Sequence, residues 1–588
     1  MKFDRSQLFT AFVLFWIGLG WLALLLTVFG YFFAPFFAAY AIIGVSALSY
    51  CVIFGWDALK KINKAFFAVL GLMFFAIIVF SWFSSPSVFS GRDQGSLSEA
   101  AIRLSENHQL KFSFKGEREF FQIYGPGKAL NFPGFNYLSN GELITQFPLG
   151  YIAWLAIFYS FFGLNGLILA NAVSFLLFLL SFYFLIRLYL KTERAVFGLF
   201  FVLTSFVFAW FFKFTLGENL ALALTWFSLL SFMHFIHTQK RLYLLASILS
   251  FGLLIFTRIE TLSFLVVMLI ILYLKSKYQL ESFFSIIGKK IILLLGAIFL
   301  VYIFYFFANQ QLFAALLKDI LRPFLSSSSE SIDYKTLLGP FLYVVNVFYA
   351  YAMHIFAIFG TLGILYFLKQ KKEVLLPLAI ILPSFIYLFY PNISPDHPWM
   401  LRRFLFTVIP AIIFYAVLFL GSIFKKRLYF YLVAGIVLLI NVPVFVKYLP
   451  IVPHKKLLSE IENISDNFRS YDLVLIDRET TGDGWSMLTG PMSFLFKKQA
   501  VYFFNTEDFF KINTHNYSEV YLLIPDSKAS FYREKGLLSN MRLVKNYTLE
   551  NNFLQSEILD KNTAYFSPVI LPTEKKVVVS GKLYLLKK

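Results

Sequence analysis

The chain has 588 residues, of which 59% are hydrophobic and 20% aromatic. Soluble domains are about 45–50% apolar, so this composition excludes a soluble globular protein and predicts a polytopic α-helical membrane protein. The formal net charge of +19 comes from lysines and arginines clustered between apolar segments, which is the pattern of cytoplasmic loops. We therefore expect no nucleic acid among the partners. A single cysteine, Cys51, excludes an intrachain disulfide and a cysteine-based metal site.

About thirteen apolar segments are predicted to cross the membrane, since a span needs roughly 20 apolar residues. The first of them has no small-residue cleavage site after it, so it is predicted to be a retained helix and not a cleaved signal. Basic clusters, the first at Lys60, Lys61 and Lys64, are predicted to mark cytoplasmic loops and to place the N-terminus inside. The predicted spans are 8–29, 32–55, 65–83, 166–190, 196–213, 219–236, 242–256, 261–274, 291–308, 350–368, 374–390, 403–423 and 428–447.

Two further apolar segments are predicted to lie at the membrane surface. If residues 147–163 crossed the membrane, the basic cluster that follows Arg187 would move outside. We therefore predict an interfacial or re-entrant helix begun by Pro148, and we interpret residues 337–349 in the same way. The polar segments then predicted to face the outside are 84–146, 309–336 and 391–402.

After residue 448 the composition becomes that of a soluble domain. Strand-like runs alternate there with polar, turn-rich segments, which predicts an extracytoplasmic α/β domain. The predicted strands are 471–477, 500–504 and 519–525. The predicted domains are an N-terminal transmembrane hairpin (1–64), a transmembrane module (65–447) whose first outer loop is 84–146, and the soluble domain (448–588). The loop DRETTGDGWSM in this last domain can bind a cation or an acceptor, although loops between strands commonly have this composition.

The first outer loop contains the stretch SGRDQGSLSE directly after a predicted span. Ser96 and Glu99 have the spacing of a capping box, which predicts an amphipathic helix on the outer membrane face and favours capping over a functional role for Glu99. Asp93 precedes this cap, between Arg92 and the flexible Gly95. A carboxylate there can accept a proton from a nucleophile or hold a divalent cation. The alternative is an ordinary loop aspartate or a salt bridge to Arg92.

Further acids and an arginine lie at the predicted outer ends of later helices. Glu218, in LGENLAL, is a functional candidate because an unpaired charge at membrane depth is costly. Alternatively, Glu218 is an interfacial residue that the dipole of its helix stabilises. Arg258 and Glu260, in the turn FTRIE, either pair with each other or with neighbouring loops, or contact a ligand.

The segment YPNISPDHPWMLRRFLFTVIP places Arg402 and Arg403 at the outer start of a span, where the positive-inside preference disfavours them. A phosphate at the membrane surface would explain both, because arginine binds phosphate bidentately. Snorkelling to lipid headgroups is the alternative. His397 can donate to a phosphate, ligate a metal or shuttle a proton, although a lone histidine beside prolines is more often structural.

The stretches RDQGSLSEAAIRL, QFPLGYIAWLAIFYSFFG, LGENLAL, FTRIE and HPWMLRRFLFTVIP, in this order and on one predicted face, resemble the GT-C membrane glycosyltransferases. Within that fold they are most similar to the group of protein O-mannosyltransferases and lipid A aminoarabinose transferases. The resemblance covers roughly residues 65 to 424. It implies a GT-C-like transmembrane fold with juxtamembrane helices on the outer face.

The resemblance also implies roles for the charged residues. Asp93 matches the catalytic aspartate, which acts as a base or as part of a metal-assisted site. Glu218 matches a second acid, although the family more often has aspartate there. Arg402 or Arg403, together with Arg258, are implied to hold the phosphate of a polyprenyl-phosphate-linked sugar. The other candidates are His397 for the same phosphate, and Arg92, Glu99 and Glu260 without an assigned role.

The implied function is transfer of a hexosyl or pentosyl group from a polyprenyl-phosphate donor to an unidentified protein, lipid or glycan. The reaction is implied to occur on the extracytoplasmic face of a bacterial or archaeal plasma membrane, with a divalent cation as the one candidate cofactor. A transporter or flippase of lipid-linked saccharides is an alternative, and it should show inverted repeats and charges near the bilayer midplane, neither of which the sequence shows. A non-catalytic relative that binds glycan through its C-terminal domain is a third reading.

Overall fold

The computed structural model describes residues 4–55, 64–113, 115–314, 334–370, 372–390, 396–555 and 568–587. Several predicted features lie outside these ranges: Lys60 and Lys61 of the first basic cluster, the SSSSE stretch with most of the predicted outer loop 309–336, and residues 391–395 of the predicted loop 391–402.

The apolar segments up to Tyr448 form helices, the structure that satisfies backbone hydrogen bonds within one segment, as a lipid environment requires. Among the described residues, seven helices are long and apolar enough to cross a membrane, or up to ten if each of three bent helix pairs is one span. The count of thirteen stays a prediction. The helices of this part are α1 Arg5–Phe29, α2 Ala34–Phe54, α3 Lys64–Trp82, α4 Asp93–Asn107, α5 Lys115–Tyr124, α6 Leu149–Phe162, α7 Leu164–Arg187, α8 Thr192–Leu203, α9 Phe206–Phe212, α10 Gly217–Thr238, α11 Arg241–Ile255, α12 Leu262–Lys275, α13 Leu280–Ile287, α14 Lys289–Ala308, α15 Tyr334–Ala350, α16 His354–Lys369, α17 Leu376–Ile381, α18 Arg402–Leu405, α19 Val408–Ile423 and α20 Arg427–Tyr448.

Several predicted spans are bent or interrupted. The chain turns by 59° between α8 and α9, by 115° between α15 and α16, and by 58° between Trp399–Leu405 and α19. The predicted span 374–390 consists of α17 between two 3-10 segments, Glu373–Leu375 and Leu382–Leu388. Pro377 and Pro383 lie in this region, and proline removes a backbone donor from a helix. Arg402 and Arg403 lie in the segment Trp399–Leu405, directly before the last of the three bends.

The short helix α6 falls within the segment predicted to be interfacial or re-entrant. Its 14 residues span about 21 Å at 1.5 Å per residue, which is less than the roughly 30 Å of the hydrocarbon core. Its first ten residues, from Leu149 to Phe158, are buried in the protein. The interfacial placement itself stays a prediction.

The packing separates buried central helices from lipid-facing ones. Helix α10 is buried along almost its whole length, whereas Ile42 of α2, Leu293 of α14 and Leu439 of α20 are 70%, 74% and 74% exposed. Apolar side chains exposed to this degree over several helices are not tolerated in water, and they fit contact with lipid chains. Together with the long apolar helices, this surface identifies an integral membrane protein.

The first outer loop departs from its predicted structure. Helix α4 begins at Asp93, three residues before the predicted cap, and Ser96 is inside it and donates to Pro133 O across 2.7 Å. The capping-box interpretation of Ser96 and Glu99 is therefore wrong. Gly95 is a packing position and not a flexible one, because an added Cβ would lie 1.5 Å from Phe89 O. Helix α4 is buried on both sides, so the prediction of an amphipathic surface helix is also wrong.

The same loop continues through α5 into a small antiparallel sheet of order β1-β2-β3, in which the strands are β1 Gly127–Lys128, β2 Phe135–Tyr137 and β3 Leu143–Thr145. The sheet and α4 lie beneath the C-terminal domain. Asn131 donates to Tyr502 O across 2.8 Å, and Arg103 donates to Ser493 across 2.7 Å.

The C-terminal domain is built on a five-stranded mixed sheet of order β5-β4-β6-β8-β7. All three predicted strands are present as parallel neighbours, and the central β4 and β6 are buried throughout, as expected of parallel strands covered on both faces. The long antiparallel pair β7 and β8 was not predicted. The elements are β4 Leu473–Ile476, β5 Gln499–Tyr502, β6 Val520–Pro525, β7 Met541–Gln555, β8 Thr573–Leu586, α21 Leu457–Ser465, α22 Thr489–Phe494 and α23 Ala529–Glu534.

Lys213 anchors the start of this domain to the membrane helices. Its side chain is buried, and Nζ donates to Leu449 O and Ile451 O across 2.7 Å each. Ser85 donates to Pro453 O across 2.8 Å, and an isolated β-bridge joins Ser90 to Met487. The first outer loop and the C-terminal domain therefore lie together at the same end of the helices.

Candidate functional site

Charged side chains from four segments meet between the membrane helices and the first outer loop. Arg402 is central, with Nη1 2.5 Å from Asp93 Oδ2 and 3.9 Å from Glu218 Oε1. Arg258 donates from Nη1 to Glu218 across 2.6 Å and forms a second ion pair with Glu260. The structure thus joins these five residues, all candidates from the sequence, into one network.

Local structure explains how each acid is placed. Asp93 is the first residue of α4, and Glu218 lies in the first turn of α10. The positive end of a helix dipole favours a carboxylate at both positions. Both acids therefore have a local stabilising reason to be there, in addition to their arginine partners.

Aromatic rings support the arginines. The guanidinium of Arg258 lies 5.2 Å from the ring centre of Phe406, and that of Arg403 lies 5.6 Å from that of Tyr387. The Tyr387 hydroxyl donates to Glu260 across 3.2 Å, which connects Arg403 to the same network. Cations over aromatic faces are held by the ring quadrupole, so both arginines are positioned by protein groups and neither needs a lipid headgroup to hold it.

Glu218 and Asp93 differ in how far their side chains are exposed to solvent. The side chain of Glu218 is 2% exposed and that of Arg402 9%, but that of Asp93 is 35% exposed. An incoming molecule can therefore contact Asp93 directly, whereas Glu218 can act on it only through an arginine. Burial opposes ionisation of Glu260, but the charge of Arg258 holds the pKa of this carboxyl below its ordinary value.

The charged network can accept an anion if Arg402 exchanges its carboxylate partner, Asp93, for that anion. Arg402 Nε is buried and has no hydrogen-bond partner among the described residues, and Arg402 Nη1 faces the accessible carboxylate of Asp93. A phosphate that takes the place of Asp93 on Arg402 would leave that carboxylate unpaired beside the bound molecule. Such an exchange would place a fixed cation at the phosphate and a free acceptor for a proton next to it.

The described residues do not form a metal site around Asp93. No group of three or more histidine, cysteine, aspartate or glutamate side chains in the described ranges is arranged to hold a metal ion. Asp93 and Glu218 are each engaged by an arginine, which competes with a cation for the same oxygens.

Arg92 does not pair with Asp93, which was one alternative from the sequence. Its Nη2 donates instead to Asp396 across 2.7 Å, and its guanidinium lies 4.7 Å from the ring centres of Trp399 and Trp485. A cavity of about 380 Å³ opens beside these residues, between the membrane helices and the C-terminal domain. Its lining includes Gln94, Trp210, His454, Asp483, Ser486 and Lys575.

His397 also lines this cavity and lies outside the charged network. Its Nδ1 is 3.0 Å from the Tyr351 hydroxyl, and burial lowers the pKa of the imidazole to about 4. The ring is therefore neutral at physiological pH. This environment favours the structural interpretation of His397 over a charged phosphate ligand.

Glu99 lies apart from the network and is a buried structural acid. It accepts hydrogen bonds from Arg103 at 3.1 Å and from Ser90 at 3.3 Å. Burial raises the pKa of its carboxyl in spite of the neighbouring Arg103. These contacts connect α4 to the strand-like segment before it.

Two aromatic residues of the site were not identified from the sequence. Tyr387 falls within an apolar segment that predicts a membrane span, and a tyrosine near a span end is unremarkable there. Trp485 lies in the loop DRETTGDGWSM, far from the outer loops along the chain. The composition of that loop indicated a possible ligand but gave no indication of its partner, Arg92.

The arrangement of apolar helices, charged turns at one end of them and C-terminal sheet domain is the GT-C fold of membrane glycosyltransferases. The chain is similar to the crystal structure of ArnT, a lipid A aminoarabinose transferase, from Cupriavidus metallidurans bound to undecaprenyl phosphate. The TM-score is 0.50 and the identity 11%, over 88% of this chain and 98% of that one. The apo state of the same protein gives a TM-score of 0.50 and 12% identity over the same shares.

A further similar structure is the oligosaccharyltransferase of Archaeoglobus fulgidus in complex with Zn and sulfate. Its TM-score is 0.43 and its identity 12%, over 76% of this chain and 67% of that one. No protein-family model and no curated protein sequence matches the chain. The similarity to ArnT thus establishes the fold, and the site itself must support the function.

Proposed function

We propose that this protein transfers a sugar from a polyprenyl-phosphate donor to an acceptor at the extracytoplasmic membrane face. The observation that carries the proposal is the contact between the accessible Asp93 and the buried Arg402, supported by Glu218. It places a candidate base and a candidate phosphate ligand side by side. The fold of a protein crystallised with undecaprenyl phosphate supports the choice of lipid.

In the proposed reaction the donor phosphate takes the place of Asp93 on Arg402, with Arg258 and Arg403 nearby. The acceptor nucleophile attacks the anomeric carbon while the bond from that carbon to the phosphate oxygen breaks. Asp93 accepts the proton of the acceptor, and the arginines stabilise the charge that develops on the departing lipid phosphate. A single displacement of this kind inverts the anomeric configuration.

The cavity beside Arg92 is the proposed approach path of the acceptor. It is bounded by the C-terminal domain and begins next to the residue that precedes Asp93. Its volume, about 380 Å³, falls in the range of about 300–1,000 Å³ of small-molecule sites. Its polar and aromatic lining suits a saccharide or another polar acceptor group.

The test is sugar transfer by the purified full-length protein in lipid, from a panel of polyprenyl-phosphate sugars to a crude envelope acceptor. We compare wild type with Asp93→Asn, and use Glu142→Gln as the control because Glu142 lies in the same outer loop and its carboxylate accepts a hydrogen bond from Asn140. We expect transfer by wild type and the control, and at least about a hundredfold loss in Asp93→Asn, which is the lower end of a general-base contribution.

Transfer by Asp93→Asn at the wild-type rate would remove Asp93 from catalysis. Absence of transfer by the wild type with every donor, together with movement of a lipid-linked saccharide across the bilayer, would replace the transferase by a flippase. Retained folding of both variants is checked by their elution and thermal unfolding in detergent.

A further inference from the structure

A stack of arginine and tryptophan side chains connects the charged network to the C-terminal domain. The guanidinium carbon of Arg402 lies 4.6 Å from the ring centre of Trp399, and that of Arg92 lies 4.7 Å from both Trp399 and Trp485. The guanidinium carbon of Arg478 lies 4.6 Å from Trp485. Each indole thus contacts two guanidinium groups, and Arg92 contacts both indoles. We call these five residues the arginine–tryptophan stack.

The C-terminal domain holds Trp485 firmly at its end of the stack. The backbone N–H of Trp485 donates to Asp483 Oδ1 across 2.8 Å, and Arg478 donates to Gly484 O. The neighbouring Met487 forms the β-bridge with Ser90 of the first outer loop. The backbone of Gly91 passes so close that an added Cβ would lie 2.5 Å from Trp485 O. These contacts fix the backbone of Trp485, and the indole is held between the guanidinium groups of Arg92 and Arg478.

The other end of the stack sets the orientation of Arg402. Its side chain reaches Asp93 with Nη1, while its guanidinium plane is supported by Trp399. Bidentate recognition of a phosphate depends on the orientation of the planar guanidinium, so a displaced Trp399 ring would weaken phosphate binding. Trp399 is in turn in contact with Arg92, and Arg92 with Trp485. Arg92 also immediately precedes Asp93 at the start of α4.

We propose that Trp485 is a positioning residue for the donor-phosphate site: the C-terminal domain uses it to hold Arg92 against Trp399 and thereby to orient Arg402. This inference rests on the proposed function for its phosphate ligand. It assigns to the C-terminal domain a direct part in donor binding through one side chain. A domain that only covers the site would not need this contact.

The first experiment measures binding of undecaprenyl phosphate to the full-length protein in lipid nanodiscs. We compare wild type with Trp485→Ala and Trp485→Phe, and use Phe531→Ala as the matched control. Phe531 is an aromatic residue of the same domain with similar exposure, 41% against 38% for Trp485, and it is outside the cavity lining. We expect Trp485→Ala to weaken binding about three- to thirtyfold, the range of a partly desolvated cation–π contact.

Trp485→Phe should recover most of the affinity, because a phenyl ring also attracts a guanidinium. Phe531→Ala should bind like wild type. In the transfer assay, Trp485→Ala should raise KM for the donor and leave kcat within about twofold, since it affects ground-state binding of the phosphate. Wild-type affinity in Trp485→Ala, or an equal loss in Phe531→Ala, would overturn the inference.

A double-mutant cycle tests whether Trp485 acts through Arg402. If it does, Trp485→Ala should weaken binding much less in an Arg402→Lys background than in wild type, because coupled residues are not additive. Additive effects would show that Trp485 does not act through Arg402. This outcome would overturn the positioning role.

Hydrogen exchange separates failure of the inference from failure of the proposed function. Without any ligand, Trp485→Ala should accelerate amide exchange in residues 399–403 and 92–96, and Phe531→Ala should not. If the wild type neither binds undecaprenyl phosphate nor transfers sugar, the proposed function fails, while the exchange data still decide whether Trp485 orders the arginines. Unchanged exchange in Trp485→Ala would overturn the inference regardless of activity.

Discussion

Arg402 lies 2.5 Å from Asp93 and 3.9 Å from Glu218, so a single buried guanidinium joins an accessible carboxylate to an inaccessible one. The first outer loop supplies Asp93, and the start of a central helix supplies Glu218. Arg402 comes from the interrupted helix that precedes α19. The geometry of the site therefore depends on three elements that are distant in the sequence and on one cation that contacts both acids.

Replacing Arg402 by lysine keeps the charge and removes the planar fork. We expect KM for the lipid-linked donor to rise about 10- to 100-fold, because hydrogen bonds to charged groups contribute about 1.5–3 kcal/mol each. The change in kcat should be smaller if the arginine mainly binds the ground-state phosphate. The measurement is steady-state transfer at varied donor concentration, with purified protein in lipid.

Arg427→Lys is the matched control for this change. Arg427 also pairs with a carboxylate, Glu193, at 3.1 Å, but its side chain is 67% exposed and the pair lies outside the charged network. Its KM should equal that of wild type. A wild-type KM in Arg402→Lys would show that the phosphate, if it binds, is held by other groups.

Replacing Glu218 by glutamine should destabilise the folded protein as well as reduce transfer. Glu218 is buried beside Arg258 and Arg402, and removal of one partner of a buried ion pair costs about 3–5 kcal/mol. Because Arg258 keeps its pair with Glu260, we expect the lower end of this range. Thermal unfolding of the detergent-purified protein measures the effect.

The comparison variant is Glu373→Gln, which removes the partner of Lys275 at 2.9 Å. Both side chains of that pair are exposed, so the expected loss is below about 1 kcal/mol. Equal unfolding temperatures for the two variants would contradict the assignment of Glu218 as a buried structural and electrostatic anchor of the arginines.

The charged members of the site could be found in the sequence because charge is conspicuous in an apolar chain. Asp93, Glu218, Arg258, Glu260 and Arg402 all interrupt or flank long hydrophobic runs, where a charge without a partner is costly. Which arginine pairs with which acid could not be predicted, because the partners come from segments far apart along the chain. A pattern of spacing does not carry that information.

The wrong and missing predictions can also be explained from particular residues. The spacing of Ser96 and Glu99 fits a capping box, but it occurs just as well inside a helix, where Glu99 and Arg103 face each other four residues apart. The strand β7 was missed because its buried and exposed positions do not alternate regularly, with Leu543 and Val544 exposed between the buried Met541 and Tyr547, and its pairing with β8 is distant in the sequence. Trp485 was missed because its contact with Arg92 joins two distant segments, and neither segment has a sequence pattern that indicates such a contact.

Lowering the pH should destabilise the folded protein, because His397 is buried as a neutral imidazole. Burial lowers the pKa of its imidazole from 6.5 to about 4, so between these values the unfolded chain binds a proton that the folded protein excludes. Stability from this group is then complete above pH 6.5 and is lost as the pH falls toward 4. His397→Gln should flatten this part of the profile of unfolding temperature against pH, whereas His515→Gln, which changes an exposed histidine, should not. If the unfolding temperature of His397→Gln falls with acid as steeply as that of wild type, other groups cause the loss of stability. A loss of transfer near pH 7 in the same variant would point to a direct role of the neutral imidazole in substrate binding.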